Sequence, residues 1–369
     1  MANNEEKDEV RDEIAQELSQ TSFACSSLTR LSGGTANFVY RGTTASFPDS
    51  IIIKHTKSYV ASNLSFKLDP KRCHYEEAIL QALDGLPSHS QENITVKTPR
   101  IFHFNKETNT QIMEDLPNSL DLKSFLLSDL AKAVPETAGH ALGRSVGTWL
   151  RAFHVWAGQP EQAGCRSLLA QNDSMKELKF YINYPMLMDT IASFPDVLEE
   201  SRGVFEELKL SAAEEMKKTD QQNGIGIIHG DFWTGNVLIP NAPLDEKSET
   251  TLFVIDWELC QVGPRALDLG QMIAELYETK LFKGVDCGVW VIKGLVKGYG
   301  PLDDDMAFRT AIHVGVHLIV WGSRVQGWGP QDQIEKVVKV GRDLILHGWN
   351  KNKAWFDGKD LGCLFETPA

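Results

Sequence analysis

The apolar positions of this chain mark short strand-like runs between two helical stretches in its first third and a mainly helical pattern over the rest. Val10, Ile14 and Leu18 recur at helical spacing among acidic residues, which predicts a short amphipathic helix lying on the first lobe. Leu28 to Leu31, the glycine-containing stretch Ser32-Gly33-Gly34-Thr35-Ala36-Asn37 and Phe38 to Arg41 read as strand, turn and strand. The β-branched run Ser50-Ile51-Ile52-Ile53-Lys54-His55 predicts a strand that delivers a lysine. A helix follows over residues 71–83, with Glu76 on the same face as Leu80 and Leu83. Strands are predicted at residues 100–105 and 110–113, and Pro117 ends regular structure. From about Leu120 the pattern is mainly helical, with a long helix over residues 138–156. The expectation is an α+β chain of two lobes, a strand-rich one with its N-terminal helix over 1–115 and a helical one over 116–369.

Composition narrows the class. A chain of 369 residues with 42% apolar and 24% charged positions suits a folded globular protein. The net charge of −13 argues against nucleic-acid or anionic-membrane partners, which require clustered Lys and Arg. No apolar run reaches the length of a membrane span, and the charged N-terminus lacks the apolar core of a signal peptide. The six cysteines are scattered without a Cys-x-x-Cys pair, so a cytoplasmic protein with reduced thiols is expected; oligomeric state is left open.

The chemistry concentrates in Ile228-His229-Gly230-Asp231-Phe232-Trp233-Thr234-Gly235-Asn236-Val237-Leu238, a loop between β-branched stretches. A further strand, Leu252 to Ile255, ends on Asp256, and the polar insert over 241–250 reads as the loop between strands. Phosphoryl transfer from ATP needs a carboxylate for the attacking hydroxyl, oxygen ligands for magnesium and a cation on the phosphates. Asp231, Asn236 with Asp256, and Lys54 supply these in turn. His229 reads as a brace of the loop. Asp268 reads as a helix cap or a second brace. His313 and His317 stand four residues apart, but with no third ligand evident they read as core or pocket-wall histidines rather than a zinc pair.

These segments resemble the aminoglycoside phosphotransferase and choline-kinase-like branch of the protein-kinase fold. HGDFWTGNVLI is similar to its catalytic loop and VIDWELCQVGPRALDLGQMIAEL to its metal-binding segment. LSGGTANFVYR, IIIKH, RCHYEEA and the late HLIVW segment extend the resemblance over nearly the whole chain, in particular to methylthioribose-kinase-like fungal small-molecule kinases such as 4-hydroxytryptamine kinase. The resemblance implies a two-lobed fold, ATP and Mg2+ as cofactors, and a small hydroxylated molecule as substrate. It implies Lys54 on the phosphates, paired with Glu76; Asp231 as base; and Asn236 and Asp256 on magnesium. Glu258 is placed near metal or substrate, Gly33, Gly34 and Asn37 around the phosphates, and Met113, Glu114, Asp115 and Leu116 at the adenine hinge.

There are departures from protein kinases: no arginine follows His229, Trp257 replaces the Phe of Asp-Phe-Gly, and no Ala-Pro-Glu follows. Methylthioribose kinases carry two neighbouring arginines where this chain has only Arg324. Trp233, Trp257, Trp321 and Trp328 are candidate walls of an acceptor pocket, flat surfaces suited to aryl or cationic amine substrates. The expected acceptor is an indole phenol or other secondary-metabolite alcohol, followed by methylthioribose, choline or ethanolamine, and an aminoglycoside. A catalytically silent nucleotide-binding protein is the reading from another class.

Overall fold

A computed structural model of the chain describes residues 4–31, 34–45, 48–218, 224–245 and 248–366. Five antiparallel strands, in the spatial order Cys25–Arg30, Phe38–Thr44, Ser50–His55, Thr110–Glu114 and Ile101–Asn105, build the sheet of the first lobe. The helix Asn4–Leu18 lays Val10, Ile14 and Leu18 onto one face of this sheet, against Phe38, Tyr40, Ile51, Ile53 and Ile112. Because side chains alternate along a strand, packing Ile51 and Ile53 there turns Lys54 to the opposite face. The helix predicted over residues 71–83 is Arg72–Leu83, and its face of Arg72, Glu76, Ile79, Leu80 and Leu83 is buried.

The second lobe is mainly helical. Its longest helix, Glu136–Ala157, packs on Asp286–Tyr299 through glycines on both sides. A Cβ on Gly147 would stand 2.1 Å from the Leu295 carbonyl oxygen, and one on Gly294 would stand 2.2 Å from that of His140. Only hydrogen fits at these points, so the backbones approach more closely than side chains elsewhere allow.

Beneath the cleft lies a second five-stranded sheet, in the order Ser119–Asp121, Val237–Pro240, Thr250–Val254, Ile94–Lys97 and His89–Gln91. Ile94–Lys97 pairs in parallel with Thr250–Val254, so a segment from the first third of the chain completes the sheet that carries the second lobe's chemistry. The polar insert predicted over 241–250 falls between two strands of this sheet. The ribbon Ile225–Ile228 with Gln261–Pro264 lies on either side of the hairpin in sequence and launches the loop that begins at His229.

Candidate active site

The loop from His229 to Asn236 is held by a polar stripe on the helix Ala266–Lys283. Successive turns of that helix touch successive loop residues. Asp268 accepts hydrogen bonds from the backbone N–H of His229 (2.8 Å) and of Gly230 (3.0 Å). Gln271 donates to Asp231 Oδ1 at 2.7 Å, and Glu275 accepts from Thr234 Oγ1 at 3.4 Å. Burial works against the Asp268 charge, but the hydrogen bond and charge of His154, together with His229, hold its carboxyl below the usual carboxylate range. Asp268 therefore braces the loop, one of the two roles its position suggested.

His229 has the fixed geometry of a structural residue. Its Nε2–H donates to the Ile255 carbonyl at 3.0 Å, and its Nδ1 accepts from the Asp231 N–H at 3.2 Å. Burial lowers its basicity, which keeps the ring neutral and this tautomer in place. Gly230 adopts φ 82°, and a Cβ there would meet the Leu259 carbonyl oxygen at 2.2 Å. The loop can turn at this point only with glycine.

Asp231 faces the cleft with Oδ2 accepting from Trp233 Nε1 at 3.2 Å and from Asn236 Nδ2 at 3.0 Å. Asn236 Nδ2 also donates to the Asp231 carbonyl oxygen at 2.9 Å. With its nitrogen committed in this way, the Asn236 amide turns its oxygen away from Asp231. Opposite stands Lys54, whose ammonium donates to Glu76 Oε1 at 2.8 Å and to Asp256 Oδ1. Burial alone would strip the Lys54 proton, but the charges of Asp256 and Glu76 outweigh it and raise its pKa. Burial lifts the Glu76 carboxyl to about 7 against the pull of Lys54. Asp256 sits at φ 66°, a left-handed conformation costly for a residue with a Cβ, and the Trp257 N–H that follows donates to Glu76 Oε1 at 3.0 Å.

The remaining candidates divide. Glu258 is spent on the protein: Oε2 accepts from Arg72 Nε at 2.9 Å and from Asn37 Nδ2 at 2.8 Å, and the side chain is 3% exposed. Asn37 is committed in turn, its oxygen accepting from Arg72 at 2.9 Å and Thr56 at 3.0 Å. The cluster ties the phosphate-side loop to the segment after Asp256. Both bonds fall on Oε2, so that oxygen of Glu258 is committed to Arg72 and Asn37.

Trp257 departs from the expectation of a pocket wall. It is fully buried, edge-on to Trp149 and Phe153, with Nε1 donating to the Val254 carbonyl, because the turn after Asp256 drives it into the core. Trp328 is 3% exposed and stacked on Phe282, which also places it in the core. Trp233 and Trp321 are partly exposed, and the Lys123 ammonium lies 5.2 Å from the Trp233 ring centre. Arg324 is engaged by Thr190 Oγ1 (2.6 Å) and the Met186 carbonyl (3.1 Å), which pin it to the helix Tyr184–Ile191.

At the expected hinge, Met113 and Glu114 pair with Ile52 and Ile51, the Asp115 carboxylate accepts from Arg41 and Ser50, and the Leu116 carbonyl accepts from Ser119. Gly34 has open space around it apart from Val39, while Gly33 lies outside the described residues. Arg72 and Gln271 were not singled out from sequence. Yet Arg72 stands one turn before Glu76, and Asp268, Gln271, Glu275 and Glu278 recur at helical spacing in an otherwise apolar helix.

A lysine–glutamate pair on a strand-rich lobe, facing an aspartate and an asparagine five positions apart on a helical one, defines the class: a phosphotransferase of the protein-kinase-like fold. The chain belongs to the phosphotransferase enzyme family, whose family model matches residues 27–286. It is 30% identical over 363 residues to the phosphotransferase FrzJ of Cladobotryum sp., covering 94% of each chain. It is 23% identical over 335 residues to the 4-hydroxytryptamine kinase of Psilocybe cyanescens, covering 88% of each. Among solved structures, the fold matches choline kinase from Cryptosporidium parvum at TM-score 0.52 and 10% identity, covering 97% of this chain and 100% of that one. It also matches a GDP complex of an aminoglycoside 2'-phosphotransferase-IIIa mutant at TM-score 0.50 and 14% identity, covering 96% and 99%. No helix among the described residues is long and apolar enough to cross a membrane.

Proposed function

We propose that this phosphotransferase moves the γ-phosphoryl group of ATP onto a hydroxyl of a small secondary metabolite, an indole phenol or similar aryl alcohol. The reading is carried by one juxtaposition: the Lys54–Glu76–Asp256 array on one side of the cleft and the Asp231–Asn236 pair on the other. Asp231 accepts the proton of the attacking hydroxyl, and Gln271, Trp233 and Asn236 fix its carboxylate in a single orientation. Lys54 binds the nucleotide phosphates, with Glu76 keeping the ammonium extended. The Asp256 carboxylate and the outward Asn236 amide oxygen are hard oxygen donors of the kind magnesium takes, and the ion when bound neutralises charge on the phosphates.

For the acceptor, the relatives named above and the two partly exposed indoles, Trp233 and Trp321, support an aryl alcohol. Methylthioribose is disfavoured, since the single arginine of that region, Arg324, is tied to Thr190 and Met186.

The test is ADP release over a panel of hydroxylated amines, sugars and phenols, with Asp231→Ala as the blank. Turnover with an aryl alcohol is expected, falling by about 10²–10⁴ in the variant while nucleotide binding persists. Undiminished turnover in Asp231→Ala sinks the assignment of the base. Magnesium-dependent ATP binding with no acceptor turned over favours a catalytically silent protein.

A further inference from the structure

Under the loop from His229 to Asn236, where Glu275 meets Thr234, Glu275 and Glu278 of the helix Ala266–Lys283 meet His317 of the helix Asp304–Arg324. One carboxylate oxygen from each glutamate and one ring nitrogen of His317 lie within 4.8 Å of one another, and all three residues are buried. The His317 Nε2 stands 3.1 Å from Glu275 Oε1 and 4.0 Å from Glu278 Oε1.

Glu278 is the anomaly. It is wholly buried, and neither of its oxygens has a hydrogen-bond partner among the described residues. A buried carboxylate without donors is among the costliest groups a fold can hold. Burial and the neighbouring Glu275 charge push its carboxyl well above the usual range.

We infer that Glu275, Glu278 and His317 form a binding site for a divalent first-row cation of the zinc class, separate from the Asp256–Asn236 pair. Zinc bonds of about 2.0–2.2 Å to oxygen and nitrogen place two ligand atoms on a tetrahedral centre roughly 3.3 Å apart, between the two separations found here. One imidazole with two carboxylates is a donor set that zinc accepts, with water completing the shell. The far oxygen of Glu275 is already held by the Lys123 ammonium at 2.9 Å and by Thr234 Oγ1. Metal-bound carboxylates are commonly hydrogen-bonded through the other oxygen in this way. The histidine pair His313 and His317 thus contributes one ligand. The two others come from a different helix, which is why no local motif announces them.

The experiment is zinc titration of chelator-treated protein by calorimetry, with cobalt absorption as a spectroscopic readout, in saturating Mg2+ and ATP. One equivalent should bind to wild type and to Asp256→Asn, and binding should disappear in Glu278→Gln and in His317→Asn. Glu278→Gln keeps the size and the neutral, polar character of the metal-free side chain, so circular dichroism and melting of the metal-free variant should match wild type. Three outcomes each overturn the site: no zinc bound by wild type, zinc retained in Glu278→Gln, or zinc lost in Asp256→Asn. None of them depends on turnover.

Discussion

Asp268→Asn is the substitution that bears most directly on how the catalytic loop is held. The Asp268 carboxylate accepts three hydrogen bonds: His229 N–H at 2.8 Å and His154 Nε2–H at 3.2 Å on one oxygen, and Gly230 N–H at 3.0 Å on the other. The carboxamide is isosteric but keeps a single acceptor oxygen, and in either rotamer its NH2 faces a donor. At least one bond to a charged acceptor is lost and one buried N–H is left unpaired, for a cost of about 3 kcal/mol.

That cost should appear as a lower urea midpoint. Because the displaced residues lead directly into Asp231, it should also appear at the transition state, as a fall in kcat of roughly a hundredfold. The KM for ATP should change little, since the Lys54–Glu76–Asp256 side of the cleft is untouched. The assays are urea denaturation followed by fluorescence, and steady-state ADP release with the acceptor that the panel identifies. A variant matching wild type in both midpoint and kcat would refute the idea that the helix stripe positions the loop.

Two further outcomes follow from the same geometry. Burial pushes the Glu76 carboxyl up to about 7. Below that pH it is protonated and its hold on Lys54 weakens, and above it the ion pair is complete, so kcat/KM for ATP should fall on the acid side with a limb near this value. Glu76→Gln should flatten the limb, and a limb surviving in the variant would assign it elsewhere. Glu258→Gln should cost about 3–5 kcal/mol of stability by leaving Arg72 buried without its counter-charge. It should leave the magnesium concentration for half-maximal rate unchanged, whereas a large rise in that concentration would restore Glu258 as a metal ligand.

Much of the fold was legible because local pattern and tertiary role agree. Three isoleucines ending in Lys54 form a central strand, and the period of Ile79, Leu80 and Leu83 carries Glu76 inward with them. The segment His89–Lys97 was not legible. Its strands are three and four residues long, and it is stabilised by pairing with Thr250–Val254, a partner remote in sequence. In the site, the residues of one short motif do come together, as with Asp231 and Asn236. Trp257 could not, because its burial is decided by the left-handed turn at Asp256 and by Trp149 and Phe153 on another helix. Gln271 was overlooked because glutamine carries no fixed chemistry; only its place on the Asp268–Glu275 stripe marks it.

The strand Ile94–Lys97 also governs how the two lobes can move. The chain leaves the lower sheet after Lys97, enters the upper one at Ile101, and returns between Glu114 and Ser119. Two short crossings therefore run side by side, joined by the Lys97–Glu114 ion pair at 2.9 Å and by the Glu114 N–H on the Arg100 carbonyl at 2.8 Å. A single tether would let one lobe swivel and roll on the other. Two straps fastened to each other, with the Arg72, Asn37 and Glu258 cluster as a further connection, restrict relative rotation of the lobes more than one tether would. Cutting the Lys97–Glu114 tie should broaden the distribution of interlobe distances between spin labels on the two lobes.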